Sequence, residues 1–188
     1  MIQSLKIIFQ TSIGAATGTS PMCKHACYRI QRMRILMISD SHGRTENVEL
    51  ILEKEGNFDL ILHAGDGSED FDYIGDRFRC RVTGVKGNCD LFSREPSVLN
   101  IDIEGKLIHI EHGNRLPYFN EKDIFDFAEG NRYDVVMYGH THIQKILDRN
   151  GRWIINPGSI SRPRDGAPSY VIMKTDGKGG FMFEGKRV

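Results

Sequence analysis

Apolar and polar positions alternate in two different rhythms from Arg34 onward. RILMIS (34–39) is a continuous apolar run of strand length, and TENVELILEKEG behind it carries Val48, Ile51 and Leu52 on one helical face. LILHAG (60–65) predicts a second buried strand, DFDYIGDRF a second helix, and CRVTGVKG a third strand rich in branched residues. Strands separated by helical crossovers predict parallel pairing. The rhythm then changes, because SVLNIDIEGKLIHIEHG holds two alternating runs around Glu104-Gly105, a hairpin signal that adds antiparallel members. A helix over 121–129 leads into the strand DVVMYG. IQKILDRNGRWIINPGS predicts another hairpin turning at Asn150-Gly151, and SYVIMKTDGKGGFMFEGKRV supplies a closing pair. Together these elements predict an α/β domain over residues 33–188, a mixed-sheet β-sandwich flanked by helices.

Residues 1–32 break the pattern, with a Gly/Ser/Thr-rich middle and no clear period. Gln10, Thr11 and Ser12 interrupt the Ile7-Ile8-Phe9 block, well short of the apolar core of about 7–15 residues that a signal peptide requires. The segment reads as a disordered extension or a start codon assigned too early, and is set outside the fold. Its Cys23, Cys27 and His25 make only a weak zinc signal. No apolar stretch approaches the roughly 20 residues needed to cross a bilayer. The four cysteines lack the spacing of a disulfide framework, so reduced thiols in a cytoplasmic protein are expected. At 188 residues and 39% apolar content the chain fits one such domain with its own core. Lys+Arg and Asp+Glu each number 25, which favours neither an extended nucleic-acid surface nor an anionic membrane as partner.

Candidate chemistry sits where the predicted strands end. Asp40-Ser41-His42, Gly65-Asp66, Gly87-Asn88, His112-Gly113 and Gly139-His140-Thr141-His142 each follow a strand. Loops at the carboxyl ends of strands in such sheets gather on one edge, where ligands bind, so these motifs are expected to converge. Carboxylate, carboxamide and imidazole donors suit a pair of divalent first-row metals. Asp66 is the candidate bridge; Asp40 and His42 would serve one ion, Asn88 and His112 the other, with His140 and His142 divided between them. Two ions about 3.5–4 Å apart lower the pKa of a shared water, and the bridging hydroxide attacks phosphorus in line. Imidazole and carboxylate without thiolate admit Mn²⁺, Fe²⁺, Co²⁺, Ni²⁺ or Zn²⁺. Taken singly, Asp40 could cap the helix that follows, and Asn88 or His112-Gly113 could be turn residues. Five such motifs at five strand exits are what point to metal.

These motifs, with Gly87-Asn88-Cys89-Asp90 and Asn156-Pro157-Gly158-Ser159, resemble those of the calcineurin-like metallophosphoesterases, most closely the small YfcE-type phosphodiesterases, from about Met33 to the C-terminus. The resemblance implies a helix-flanked β-sandwich, Mn²⁺ as the leading ion, and a homo-oligomer such as a dimer or tetramer. It implies one ion held by Asp40, His42, Asp66 and His142 and another by Asp66, Asn88, His112 and His140, with Asp66, Asn88, His112 and His140 carrying catalysis. Asn88, Gly158, Ser159 and Arg162 are the candidate substrate contacts, and Arg164 is a further cation in the same loop. Many superfamily members have a histidine directly after the motif asparagine to protonate the leaving group; Cys89 stands there instead, as in the small relatives, and a neutral thiol of pKa about 8.5 is a poor substitute.

His63 and Asp90 read either as satisfied structural residues or as groups that orient a ligand. Trp153, Tyr118, Phe119, Phe125 and Phe127 read as core or interface. The leading function is hydrolysis of small phosphodiesters. Alternatives are a phosphomonoesterase, a nuclease, and a non-catalytic protein-binding scaffold similar to the retromer subunit, whose metal site is incomplete. Seven filled ligand positions favour catalysis.

Overall fold

Alternation of apolar side chains along short strands builds two sheets that face each other. The structure is a computed structural model and describes residues 5–6, 32–115 and 120–188. Cys23, Cys27, His25, Tyr118 and Phe119 lie outside those residues. In chain order the elements are β1 (Leu5–Lys6), β2 (Arg34–Ile38), α1 (Glu46–Glu55), β3 (Leu60–His63), α2 (Phe71–Phe78), β4 (Arg81–Gly84), β5 (Val98–Ile103) and β6 (Lys106–Glu111). They continue with α3 (Glu121–Gly130), β7 (Val135–Met137), β8 (Gln144–Arg149), β9 (Arg152–Pro157), β10 (Ser169–Thr175) and β11 (Phe181–Arg187).

One sheet has the order β11-β10-β2-β3-β4 and the other β1-β5-β6-β7-β9-β8. The crossovers through α1 and α2 make β2, β3 and β4 parallel, as the strand-helix alternation predicts. The β5–β6 hairpin does not extend that sheet but opens the second one, where β6 pairs in parallel with β7 and β7 with β9. The β5–β6 and β8–β9 turns each use two left-handed residues, Glu104-Gly105 (φ 53° and 79°) and Asn150-Gly151 (54° and 77°). This geometry matches the strand twist.

The two-residue period divides each strand between two cores. Ile35, Met37, Leu60 and Leu62 meet Ile101, Ile108, Val135 and Ile155 between the sheets. Leu36, Ile38 and Ile61 turn outward onto Val48 and Ile51 of α1 and Ile74 and Phe78 of α2. On the opposite outer face, Ile124, Phe125 and Ala128 of α3 cover Val136 and Ile154. Asn120 accepts from the Asp123 N–H at 3.0 Å and caps α3. This is the mixed-sheet sandwich with flanking helices that the pattern predicts. No helix among the described residues is long and apolar enough to cross a membrane.

Candidate metal centre

The carboxyl ends of β2, β3, β6 and β7 bring Asp40, Asp66, His112 and His140 to one edge of the sandwich. The two carboxylates sit close together: Asp40 is 0% and Asp66 3% exposed. Backbone bonds join their loops, with the Asp40 N–H donating to Gly65 O at 3.0 Å and the His42 N–H to Asp66 O at 2.9 Å. Asp40 is therefore not a helix cap; α1 starts after Thr45, with no side-chain cap bond. Gly87 is required here because a Cβ would stand 2.0 Å from Asp66 Oδ1. At Gly139 a Cβ would stand 2.8 Å from Asp40 Oδ2.

Imidazole nitrogens ring the carboxylates. His142 Nε2 is 3.1 Å from Asp40 Oδ1, and His42 Nε2 and His112 Nε2 are each 4.0 Å from the same oxygen. His112 Nε2 is also 3.4 Å from Asp66 Oδ2. Ligand atoms held about 2.0–2.2 Å from one cation lie about 3.0–3.5 Å from each other, which the 3.1 and 3.4 Å separations match and the two 4.0 Å separations exceed. Asp40 Oδ1, His42 Nε2 and His112 Nε2 are buried and have no hydrogen-bond partner among the described residues. Neither Asp40 nor Asp66 has an ion pair with a lysine or arginine there. Buried carboxylates without positive charge are strongly unfavourable, so this donor set fits divalent cations.

The histidine tautomers agree with that fit. The His112 Nδ1–H donates to Ala64 O at 2.7 Å and the His142 Nδ1–H to Arg162 O at 2.6 Å, leaving each Nε2 lone pair directed at the carboxylates. The rings of His42 and His142 lie 5.4 Å apart, and those of His112 and His140 5.2 Å. Three sets of donors have all their atoms within 4.8 Å of one another: Asp40, His42 and His142; Asp40, Asp66 and His112; and His42, Asp66 and Cys89. Each carboxylate thus belongs to two sets. His140 is exposed and its N–H donates to Asp40 Oδ2 at 3.2 Å. Asn88 is exposed, its amide facing Cys89 Sγ at 3.4 Å.

Burial would raise the Asp66 carboxyl, but the His112 imidazole 3.4 Å away and the hydrogen bond from the Cys89 N–H overrule it and hold Asp66 well below the usual carboxylate range. Asp40, more deeply desolvated and facing the Asp66 charge, is pushed up. Burial opposes the charged form of His112, yet Asp66 and Asp40 together lift its pKa above the ordinary imidazole value. The hydrogen bond to Asp66, aided by burial, pushes the Cys89 thiol up to about 11.

The Asn156-Pro157-Gly158-Ser159 loop lies behind Asp40 rather than offering donors to a ligand. Ser159 is fully buried; its hydroxyl donates to Asp40 O at 2.9 Å and accepts from the Ser161 and Arg162 N–H groups. The Gly158 N–H donates to Asn156 Oδ1 at 2.9 Å. Contrary to the expectation of substrate contact, neither donor is free for a phosphate. Arg162 is exposed, and its charge reaches His42. Arg164 is exposed too. His63 is a satisfied buried histidine and Asp90 a buried acceptor for three backbone N–H groups. Asp70, which the sequence pattern does not single out, accepts from Ser41 Oγ at 2.6 Å and from the Gly43 N–H at 3.2 Å. Its only sequence signal is its place just ahead of α2.

The model of the calcineurin-like phosphoesterase superfamily domain matches residues 33–178. The chain belongs to that superfamily. Within it, the chain is 33% identical over 145 residues to a probable metallophosphoesterase, YsnB, of Bacillus subtilis, covering 75% of this chain and 83% of that one. Phosphodiesterase YfcE of Escherichia coli K12 is 25% identical over 169 residues, covering 77% and 89%. A predicted phosphoesterase of Streptococcus pneumoniae superposes with a TM-score of 0.68 at 25% identity, over 84% of this chain and 90% of that one. Entamoeba histolytica Vps29, solved with Zn²⁺, superposes with a TM-score of 0.66 over 82% and 99%; at 22% identity the likeness is one of fold.

Proposed function

We propose that this calcineurin-like phosphoesterase is a dinuclear-metal phosphodiesterase acting on small phosphodiesters. The observation that carries the reading is the pair of buried carboxylates, Asp40 and Asp66, that lack basic partners and face the Nε2 atoms of His42, His112 and His142. One ion would be held by Asp40, His42, Asp66 and His142, and the second by Asp66, Asn88, His112 and His140. Mn²⁺ leads, with Zn²⁺, Fe²⁺, Ni²⁺ and Co²⁺ compatible with the same donors. Divalent ions bound there supply a nucleophile from water at neutral pH and offset charge developing on the phosphoryl group.

The chain's own residues do the rest. Nδ1 contacts to backbone carbonyls aim His112 and His142, and Arg162 stands on the open side, where it can pair with a phosphoryl oxygen. Cys89, with its thiol pushed up to about 11, is too weak an acid to protonate a leaving alkoxide effectively. Substrates whose leaving group departs unaided, such as aryl diesters, are therefore favoured. The phosphodiesterase named in E. coli supports the diester reading by similarity. A cytoplasmic location and a homo-oligomer belong to the same proposal.

The test is hydrolysis of bis(4-nitrophenyl) phosphate with and without Mn²⁺. Stimulated turnover is expected, with kcat lowered about 1,000-fold in Asp66→Ala and at least about 100-fold in His140→Ala. No stimulated turnover, together with an inert His140→Ala substitution, would favour a non-catalytic scaffold.

A further inference from the structure

A cleft of about 420 Å³ adjoins the candidate metal centre. Asn88 and His112 contribute to its lining together with Leu91, Val98, Lys86 and Arg115. Leu91 and Phe92 are 79% and 91% exposed, the most exposed large hydrophobic residues among those described, and Val98 is 46% exposed. Water contact at adjoining apolar side chains is unfavourable and marks a surface that something covers. The loop that carries them is fixed at its base. The buried Asp90 carboxylate accepts from the Gly67, Ser68 and Gly87 N–H groups, and the Lys86 N–H donates to Pro96 O at 2.9 Å. Lys86 and Arg115 have no side-chain hydrogen bond or ion pair among the described residues, while the Glu111 carboxylate on the same lining is turned to His109 Nε2 at 3.2 Å, so the two cations are open to an anionic ligand.

We propose that this cleft binds the ester group that a phosphodiester substrate retains, and that this group is planar and largely apolar, of aryl or nucleobase type. It would lie on Leu91 and Val98, with Phe92 at the rim, while Lys86 and Arg115 complement the anionic phosphate. Continuity with the metal centre favours substrate over a protein partner, and the volume is that of a small-molecule site rather than a polymer track. Aromatic faces accept planar groups without demanding one hydrogen-bond pattern, which suits an exposed phenylalanine. The inference rests on the phosphodiesterase reading for the identity of the ligand, but binding tests it without turnover.

The experiment compares phenyl phosphate with methyl phosphate, which share a headgroup, by calorimetric titration of the Mn²⁺-supplemented protein and of Leu91→Ala/Phe92→Ala. Both substituted side chains are exposed, so folding is preserved. The expected result is at least tenfold tighter binding of the phenyl ester by the native protein, with that ratio reduced about tenfold in the variant. Equal affinities for the two esters, or a ratio unmoved by the substitutions, would overturn the proposal. So would a variant that changes from oligomer to monomer by light scattering while its ratio stays fixed, since the patch would then cover a second copy. Failure of the phosphodiesterase reading has a separate signature: no turnover of either 4-nitrophenyl methyl phosphate or bis(4-nitrophenyl) phosphate, whatever the binding ratio.

Discussion

Asp40 is held from several sides before any ligand arrives. Its carbonyl accepts from Ser159 Oγ and Ser161 Oγ, its Oδ2 from the His140 N–H, and its backbone is left-handed at φ 56°. His42, Asp66, His140 and His142 share that conformation at 49°, 54°, 61° and 60°. Left-handed backbone at non-glycine residues is disfavoured, and its concentration at the candidate ligands is the signature of a site that its surroundings enforce. His63 shows how that enforcement is wired. The Gly65 N–H donates to its Nδ1 at 3.1 Å, so the ring proton is on Nε2 and points at Ser41 Oγ, which in turn donates to Asp70. Burial lowers the His63 pKa to about 4 from 6.5. The unfolded chain therefore takes up the proton first as pH falls, and the stability that neutral His63 preserves is full above pH 6.5 and lost between about 6.5 and 4. The expected loss across that window is about 3 kcal/mol. Urea unfolding of chelator-treated protein at pH 7 and 5, between which about 2 kcal/mol of that loss falls, checks this, and His63→Gln should flatten the dependence. Ligand types were legible in the sequence because each follows an apolar run. Asp70 and the hydrogen bonding of Ser159 were not, because their partners lie 29 and 119 residues away in the chain.

Hairpins and helices were the most readable elements, for local reasons. Asn150-Gly151 adopts left-handed backbone cheaply, and the apolar stripe of α1 has the helical period. The destination of the β5–β6 hairpin in the second sheet was less readable, since a local pattern of alternation does not say which neighbour a strand will find. Loop conformation after β3 and β4 depends on one residue. Asp90 accepts from N–H groups at 2.9, 3.3 and 2.8 Å and so ties the loop carrying Asp66 to the loop carrying Asn88. Removing a buried ionised acceptor leaves those donors unpaired, and Asp90→Ala should cost about 2–4 kcal/mol in urea unfolding of the metal-free protein. Asp90→Asn, which retains one acceptor oxygen, should cost less. Equal stability of Asp90→Ala and the native protein would mean that the two loops hold their geometry independently.

At the scale of the whole molecule the charge balance is neutral, with 25 basic and 25 acidic residues, yet the candidate metal edge gathers two buried carboxylates that no lysine or arginine offsets among the described residues. Divalent ions bound to the folded form alone would stabilise it by about 2.7 kcal/mol per site at 100 times Kd. Chelation of both ions should accordingly lower Tm by roughly 10–20 °C for a chain of this size, read by calorimetry before and after Mn²⁺ is restored. Protons compete for the same lone pairs, and His112, lifted above the ordinary imidazole value by Asp66 and Asp40 despite burial, should make metal affinity fall as the medium is acidified. The measurement that goes most directly to the centre is the number of Mn²⁺ ions bound per chain, by native mass spectrometry of the intact protein and of Asp66→Ala. Two ions per native chain, with fewer than two in the variant, is the expected result; one ion or none, or two that Asp66→Ala leaves in place, would contradict a shared dinuclear site.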